Sequence, residues 1–573
     1  MSRRPIGSKG KVIRVVARPP AAMTPRRAGA LVGECLAHTS WGRTATRRTT
    51  RFDDDAEGPA AFDVLVEVAV PDTIGSPRYA KRAHDLVQRL YDTGAFVRVE
   101  ADIPIVAFDP SVAPTVPSPR SGRPGPRARS APSTDCSALP ESASPDWPLR
   151  AMRIPEALAL IPPSRAAGKG IRIGHPDSGY SDHFALGLGQ LDRQQDRDVI
   201  SDDEEALDPL KPPKKSFFNP LPNPGHGTST ASVIVGQGTD SGFRGVATAA
   251  TLVPIRATES VVQVFDGDVA KAVRWARTHG CLVVSMSLGG KGFFGLQDAI
   301  GEAVDHGMIV LAAAGNQVGF VTAPACYDNC IAVAASGADG KPWAGSSHGS
   351  AVDVTAPGSC VWAAQFAWGA TPAPGEPSPV RVLSQTNGTS YAVAHTAGVA
   401  ALWLAKHGHA ALVSRFGAGR IQATFLEILR RPNVCRRTPD WNSGQYGAGV
   451  IDAEALLREP LPEPFAVTGR RSRAAGAPDD TIGRLAAQTA TTRQAVAAAV
   501  DALFGAGSSE DEAFLRRFEG ELVYLAMADP TFRTLVATPA AATDRRSRGL
   551  DAAPIVPATT AAAVSPQLRD RLR

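Results

Sequence analysis

Three residues of this chain carry side chains that together can activate a hydroxyl group for nucleophilic attack. They are Asp177, His226 and Ser390, and each has a glycine within two positions. A serine hydroxyl is a weak nucleophile at neutral pH, so it needs a neighbouring base, and the base needs a third group to hold its tautomer and charge. Glycine allows backbone and substrate to approach closely. The three residues therefore form a candidate nucleophile, base and orienting carboxylate.

Each of the three residues is expected where a strand ends or where a helix begins. A predicted strand ends at Asp177, and the apolar runs that follow His226 and Ser390 predict helices. A serine in the first turn of a buried helix lies near the positive end of the helix dipole, where unpaired N–H groups can bind an anion. An ordinary helix N-cap is the alternative role for Ser390.

The sequence around these residues resembles the subtilisin-like serine proteases, the subtilases. The matching segments are the aspartate motif at 177–179 (Asp-Ser-Gly), the histidine motif at 226–228 (His-Gly-Thr) and the serine motif at 388–395 (Gly-Thr-Ser-Tyr-Ala-Val-Ala-His). The chain departs from the family pattern at Ser229, Tyr391 and Ala394, which stand where the family has His, Met and Pro. None of these departures removes a catalytic atom.

The resemblance implies a role for each residue. Ser390 is expected to be the nucleophile, His226 the general base and then acid, and Asp177 the carboxylate that orients the imidazole. A fourth segment, 312–316 (Ala-Ala-Ala-Gly-Asn), resembles the family segment whose asparagine amide donates to the oxyanion. Asn316 and the backbone N–H of Ser390 are therefore expected to form the oxyanion hole. The alternative for Asn316 is an ordinary turn residue.

The segment 283–290 resembles the strand on which the family binds its substrate. An exposed strand edge that ends in glycines can accept an extended peptide as an added strand. With the residues before Asn316, this segment is expected to wall the pocket for the residue that precedes the scissile bond. The substrate-binding residues predicted in this way are Ser287, Leu288, Gly289, Gly290, Ala313, Ala314 and Gly315.

Two residues beside Asp177 depart from an ordinary strand. Pro176 cannot donate a ladder hydrogen bond, which a strand end tolerates. His175 lies two positions before Asp177, and because side chains alternate along a strand the two can share a face. A packed or solvated histidine is favoured over a catalytic one at this position.

Strands that alternate with apolar helical segments predict an α/β fold, with a parallel sheet covered by helices on both faces in the subtilisin-like manner. A small α+β unit is expected before this domain and a partly helical, partly disordered tail after it. The predicted divisions are a disordered basic leader (1–50), the α+β unit (51–108), a Pro/Ser/Arg-rich linker (109–145), the peptidase domain (146–459) and an Ala-rich C-terminal extension (460–573).

The two flanking units carry further expectations. The resemblance makes 51–108 either a propeptide that assists folding and blocks the cleft or a small accessory domain. In the C-terminal extension, Ser509 and Glu512 fit a capping box before an apolar helix. The stretch from Pro539 onward is expected to be disordered.

Composition and charge narrow the class of protein. The 573 residues are 43% hydrophobic and 20% charged, with a formal net charge of only +5, which is ordinary for a globular protein. Basic clusters in the tails are more often solvated than bound to nucleic acid, so no nucleic-acid partner is expected. No run approaches the roughly 18 apolar residues of a membrane span, so no membrane partner is expected either. High Ala, Gly, Pro and Arg usage resembles proteins from GC-rich bacterial genomes.

The N-terminal residues bear on the location of the protein. The basic start is followed by Lys9, Lys11 and Arg14, which interrupt the apolar stretch that a secretory signal requires. Subtilases are often secreted, but the missing stretch favours a cytoplasmic location.

The chain has seven cysteines. Cys326 and Cys330 can close a small disulfide loop in an exported protein or remain thiols in a reducing compartment, and the sequence leaves both open.

An acidic run, 202–205 (Asp-Asp-Glu-Glu), lies in the long segment between the aspartate and histidine motifs. Many subtilases bind calcium, but this run lacks a recognisable ligand spacing, and a solvated charge run is favoured. No metal ligand is therefore assigned, and no other cofactor is expected.

Together these patterns predict a serine endopeptidase that hydrolyses peptide bonds of protein or peptide substrates through an acyl-enzyme. The main alternative is a catalytically silent module of the same fold that binds peptides. A third reading is a scaffold protein whose peptidase core is vestigial. The sequence does not predict the cleavage preference or the oligomeric state.

Overall fold

The computed structural model describes residues 12–20, 23–39, 47–51, 63–104, 136–210, 223–261, 265–368, 379–464, 481–547 and 558–572. These residues form an N-terminal sheet unit, a central α/β domain and a set of C-terminal helices. The central domain carries all of the predicted site residues.

The N-terminal unit is an antiparallel sheet packed against two helices. Its elements are β1 (Val12–Arg18), α1 (Pro25–Ala37), β2 (Arg47–Arg51), β3 (Val64–Ala69), α2 (Pro77–Asp92) and β4 (Arg98–Asp102). The four strands lie in the order β2-β3-β1-β4. Both helices start at a hydroxyl cap followed by proline, with Thr24 before α1 and Ser76 before α2, which is a favoured helix start.

The predicted disordered leader is wrong for the residues that form β1 and α1. Arg14 and Arg18 interrupt the apolar pattern of β1, and this hides the strand from sequence reasoning. The structure neutralises both charges with distant partners, because Arg14 donates to Asp268 at 2.6 Å and Arg18 donates to Asp63 at 2.8 Å. The α+β unit therefore includes β1, far ahead of its predicted start at residue 51.

The central domain is built on a nine-stranded sheet in the order β14-β15-β11-β10-β9-β8-β5-β7-β6. Its elements, with a separate β12–β13 hairpin, are α3 (Trp147–Ala151), α4 (Ile154–Leu158), β5 (Arg172–Asp177), β6 (Arg197–Asp198), α5 (His226–Val235), β7 (Thr251–Arg256), α6 (Asp266–Thr278), β8 (Val283–Met286), α7 (Phe294–Asp305), β9 (Ile309–Ala313), β10 (Ile331–Ser336), β11 (Val354–Pro357), β12 (Val361–Trp368), β13 (Pro379–Thr386), α8 (Thr389–His407), α9 (His409–Phe416), α10 (Ile421–Leu429), β14 (Cys435–Arg436), α11 (Ser443–Tyr446), β15 (Val450–Ile451) and α12 (Ala453–Arg458). All neighbouring strands of this sheet are parallel except β14 and β15.

Helices cover both faces of this sheet, as predicted. Neighbouring residues of one strand point into different cores, as Ile309 and Val310 of β9 show. One core contains α5 and α8, and the other contains α6 and α7. The α/β fold with a mainly parallel sheet is therefore confirmed.

The C-terminal helices are α13 (Thr481–Gln488), α14 (Arg493–Phe504), α15 (Glu512–Ala528), α16 (Pro530–Ala537), α17 (Pro539–Ser547), α18 (Ala558–Ala561) and α19 (Pro566–Arg571). They share one hydrophobic core with the N-terminal unit, and this core includes Phe518 and Leu522 of α15 as well as Leu86 and Leu90 of α2. None of the described helices is long and apolar enough to cross a membrane.

Two expectations for this part of the chain need correction. The predicted helix is α15, but its cap is Asp511, whose side chain accepts from the N–H of Phe514, while Ser509 binds Asp501. Helices also occur after Pro539, where none was expected. Their Ala-rich and polar sequences give weak periodicity, so the packing against neighbouring helices decides their structure.

The disulfide in the structure is not the one between Cys326 and Cys330 that the sequence left open. Cys136 and Cys360 form a disulfide, whereas Cys326 and Cys330 are free and buried. Cys136 lies in the last part of the predicted linker, and residues 109–135 of that linker lie outside the described residues.

Candidate active site

The site residues are brought together at one edge of the central sheet. Strand β5 ends at Asp177, and β9 ends three residues before Asn316. The carboxyl ends of parallel strands meet at the same edge. Helix α5 starts at His226 and α8 starts one residue before Ser390, so both side chains lie in the first turn of a helix.

Asp177 and His226 are directly hydrogen-bonded. His226 Nδ1 lies 2.7 Å from Asp177 Oδ1, and Asp177 is fully buried. A carboxylate at this position accepts the Nδ1 proton, which leaves Nε2 to act as the base. Burial opposes the charge of Asp177, but His226 and the N–H of Ser178 outweigh it and hold the carboxyl pKa below its ordinary value. The orienting role predicted for Asp177 fits this geometry.

Ser390 is buried in the first turn of α8. Among the described residues the one hydrogen-bond partner of its hydroxyl is the carbonyl of Ser287, at 3.5 Å. The direct bond to His226 that proton transfer requires is not made within this part of the structure. The starts of α5 and α8 nevertheless lie side by side, since the hydroxyls of Ser229 and Tyr391 are 3.2 Å apart. Catalytic hydrogen bonds are often long before substrate binds.

The amide of Asn316 is held in a defined orientation. The backbone N–H and the hydroxyl of Thr389 both lie 2.9 Å from one amide atom of Asn316. A backbone N–H only donates, so this atom must be the amide oxygen. The amide nitrogen is then left without a partner among the described residues, on an exposed side chain next to Ser390. This arrangement suits a donor to an oxyanion.

The predicted substrate edge is not free in the structure. The N–H of Gly289 donates to the carbonyl of Val261 at 3.1 Å, and the N–H of Gly290 donates to that of Ala323 at 2.9 Å. These partners are distant in sequence, which is why the pattern of the strand did not reveal them. A peptide that accepts a hydrogen bond from the N–H of Gly289 must replace the carbonyl of Val261.

The other predicted pocket residues divide into two groups. The side chains of Leu288, Ala313 and Ala314 are buried in the two cores of the domain, so they support the site from behind. Ser287 lies closer to the chemistry, because its hydroxyl donates to the carbonyl of Ser390 at 3.0 Å. Gly315 is half-buried beside Asn316.

Two hydroxyl groups that sequence reasoning missed lie close to Gly289 and Gly315 of the predicted pocket. A side-chain carbon added at Gly289 would lie 2.5 Å from Thr322 Oγ1, and one added at Gly315 would lie 3.1 Å from Ser347 Oγ. Both hydroxyls are buried and have no partner among the described residues. Nothing in the spacing of the sequence marks them, since only the fold brings them to this position.

No cluster of histidine, cysteine or carboxylate side chains marks a metal site among the described residues. None of them form a group of three or more His, Cys, Asp or Glu side chains that could hold an ion. In the acidic run 202–205, Asp202 pairs with Arg197, and the N–H of Asp203 bonds to the carbonyl of Asp198. Within this run, the carboxylate of Asp202 is thus already paired with a cation of the protein itself.

Sequence comparison places this site within a known family pattern. The model of the family described as "Subtilase family" matches residues 168–427, which include Asp177, His226, Asn316 and Ser390. Thermitase of Thermoactinomyces vulgaris is 35% identical over 190 residues, which cover 33% of this chain and 63% of thermitase. Subtilisin DY of Bacillus licheniformis is 30% identical over 243 residues, which cover 41% of this chain and 78% of that protein.

This chain matches only part of the length of some of these relatives. Subtilisin E of Bacillus subtilis is 34% identical over 242 residues, 56% of its length. The chain thus spans less than two thirds of both thermitase and subtilisin E.

Comparison of folds gives a consistent result. Fervidolysin from Fervidobacterium pennivorans, described as a keratinolytic enzyme related to subtilisin, matches with a TM-score of 0.51. The match covers 80% of this chain and 63% of fervidolysin, at 19% identity. At this identity the likeness concerns the fold alone.

Proposed function

Since this chain belongs to the subtilase family, we propose that it is a serine endopeptidase that hydrolyses peptide bonds of proteins or peptides through an acyl-enzyme. The observation that carries this proposal is the 2.7 Å bond between His226 Nδ1 and the buried carboxylate of Asp177. That bond prepares an imidazole base at the start of α5, next to the serine at the start of α8.

In the proposed reaction, Ser390 Oγ attacks the carbonyl carbon of the scissile bond while His226 Nε2 takes the hydroxyl proton. The same imidazole then gives this proton to the leaving amine, and the peptide bond breaks. Water attacks the acyl-enzyme in the second half, with His226 again acting as base and then returning the proton to Ser390. Asp177 stabilises the imidazolium formed in both halves.

The negative charge on the carbonyl oxygen needs donors that are already in place. We assign this role to the amide nitrogen of Asn316 and the backbone N–H of Ser390. The two bonds from Thr389 support the assignment, because they fix the amide so that its nitrogen is available. Donors that are already oriented do not have to reorganise when the charge develops.

The alternative is a module of the same fold that binds peptides without cleaving them. The bond from Ser390 to Ser287, in place of one to His226, favours this alternative. The presence of every side chain that the chemistry needs favours the enzyme.

Covalent labelling with a fluorophosphonate separates the two functions, because only an activated serine reacts. We expect the purified chain to be labelled and Ser390→Ala to lose the label. Ser508→Ala serves as the control, since Ser508 lies in the connection between α14 and α15, and it should keep full labelling. An unlabelled, folded chain would favour the peptide-binding module.

A further inference from the structure

The carboxylate of Asp177 is contacted on both of its oxygens. Oδ1 binds His226, while Oδ2 lies 3.3 Å from the hydroxyl of Thr230. Thr230 lies four residues after His226 on α5, so the two side chains share a face of that helix. Thr230 is fully buried.

A second histidine completes this arrangement. His175 lies two residues before Asp177 on β5, which puts both side chains on the same face of the strand. Its Nε2 is 3.0 Å from the hydroxyl of Thr230 and 3.8 Å from Asp177 Oδ2. Strand and helix therefore present two facing pairs, Asp177 with His226 and His175 with Thr230.

The hydroxyl of Thr230 has one proton and competing acceptors. The carbonyls of His226 and Gly227 lie 3.2 and 3.3 Å away on its own helix, and a helical threonine commonly bonds back to such carbonyls. A hydrogen-bond donor on β5 can change which of these acceptors the hydroxyl proton of Thr230 reaches. When His175 Nε2–H donates to the oxygen of Thr230, it draws the hydroxyl towards β5, where its proton can reach Asp177.

We propose that His175 and Thr230 are positioning residues for the catalytic carboxylate, with His175 orienting the hydroxyl of Thr230 and that hydroxyl holding Oδ2 of Asp177. This inference rests on the proposed peptidase function. Burial lowers the pKa of His175, so a neutral ring that offers one N–H is favoured beside the site. The pair acts through Asp177 and touches no reacting atom.

The inference predicts that loss of the Thr230 hydroxyl lowers kcat and leaves KM unchanged. Thr230→Val keeps the shape of the side chain but removes the hydroxyl, and we expect kcat to fall roughly tenfold with KM unchanged, as for the loss of one hydrogen bond to a charged group. Thr230→Ser keeps the hydroxyl and should retain most of kcat. His175→Leu should resemble Thr230→Val, and the double variant should be no slower than either single one.

A matched control is available on α10. Thr424 is also a fully buried helical threonine whose hydroxyl donates to a carbonyl four residues earlier, that of Arg420, at 2.8 Å. Thr424→Val should leave kcat and KM unchanged, although it removes the same group. Equal kcat values for the Val and Ser variants of residue 230, or additive losses in the double variant, would overturn the inference.

A second readout does not depend on turnover. In the Ser390→Ala protein, the proton shared by His226 Nδ1 and Asp177 should give a low-field NMR signal. We expect Thr230→Val to shift or broaden this signal, and Thr230→Ser and Thr424→Val to leave it in place. An unchanged signal in Thr230→Val contradicts the positioning role, whereas a chain with no turnover but with the shifted signal contradicts only the peptidase function.

Discussion

At the scale of single residues, the site depends on polar groups that are fixed before any substrate arrives. Asn316 shows this most clearly, because Thr389 occupies its amide oxygen and leaves the amide nitrogen to donate. A donor of this kind acts on the charge that develops during the reaction and contributes little to substrate affinity.

Replacing Asn316 by Ala should therefore reduce kcat far more than it changes KM. The loss of such a donor costs roughly 10²–10³ in kcat, a figure measured in a subtilisin. Steady-state kinetics on a peptide substrate measure both constants. A large rise in KM at constant kcat would show that Asn316 binds the ground state instead.

The hydroxyls of Thr322 and Ser347 predict the size of side chain that the pocket accepts. Thr322 Oγ1 fills the space next to Gly289 and Gly315, so we expect small residues before the scissile bond. Thr322→Gly should raise kcat/KM for large residues at that position relative to small ones. A series of peptides that differ only there measures the preference, and an unchanged preference would place the pocket elsewhere.

At the scale of elements, α8 must pack closely for its first turn to present Ser390. Gly398 allows this approach, because an added side-chain carbon would lie 2.5 Å from Cβ of Val246. Gly398→Ala should therefore destabilise the protein by about 1–3 kcal/mol, as overpacked cores do. Gly189→Ala is the control, since nothing lies within 4 Å of its added carbon, and thermal unfolding compares the two. Equal melting temperatures would contradict the close packing.

The sheet and its covering helices followed from the sequence because their apolar patterns are local. The positions of Asp177 and Asn316 at strand ends followed for the same reason. The pairing of Gly289 with Val261 and the hydroxyls of Thr322 and Ser347 did not, because they depend on contacts between distant segments. Likewise, β1 was missed because its arginines are neutralised by partners that the sequence does not place beside them.

At the scale of the whole molecule, the N-terminal unit is held by two parts of the chain. Glu100 of β4 accepts from Lys291 of the central domain at 2.6 Å. Glu519 of α15 accepts from Arg98 at 2.7 Å and also from Arg484 of α13. These buried ion pairs adjoin the core that the unit shares with the C-terminal helices.

We therefore expect the N-terminal unit to remain bound if the linker is cut. A recognition sequence for a specific protease, inserted within residues 109–135, allows that cut, and gel filtration then follows both fragments. They should elute together, and Glu519→Ala should promote their separation, because it leaves two arginines without their shared carboxylate. Immediate separation of the unaltered fragments would favour a transient propeptide.

The same interface predicts a dependence of stability on pH. Burial raises the pKa of Asp102 to about 6, although Arg14 lowers it, and burial together with the charge of Asp102 raises the pKa of Asp266 to about 7, although Lys291 lowers it. Unfolded carboxyls titrate near pH 4, so between about pH 4 and 7 these two carboxyls bind more protons in the folded than in the unfolded chain. The contribution of this pair to the free energy of unfolding should fall as pH rises through this range, so the stability of the unaltered chain relative to Asp266→Asn should fall with it. An identical slope in that variant would contradict this.

The disulfide offers a test of where the protein works. The expected cytoplasmic location stays a prediction, and disulfides such as Cys136–Cys360 persist mainly in oxidising compartments. Mass spectrometry of alkylated protein from its native source would show this pair reduced if the prediction holds. An intact disulfide would indicate an exported protein.

The central claim is that Asp177, His226 and Ser390 act as one catalytic unit, and the most direct test is kcat for peptide hydrolysis in single and double variants. Ser390→Ala and His226→Ala should each reduce kcat by several orders of magnitude, and the double variant should be no slower than either, because residues of one unit are not additive. Losses that multiply in the double variant, or a His226→Ala protein with unaltered kcat, would contradict the account.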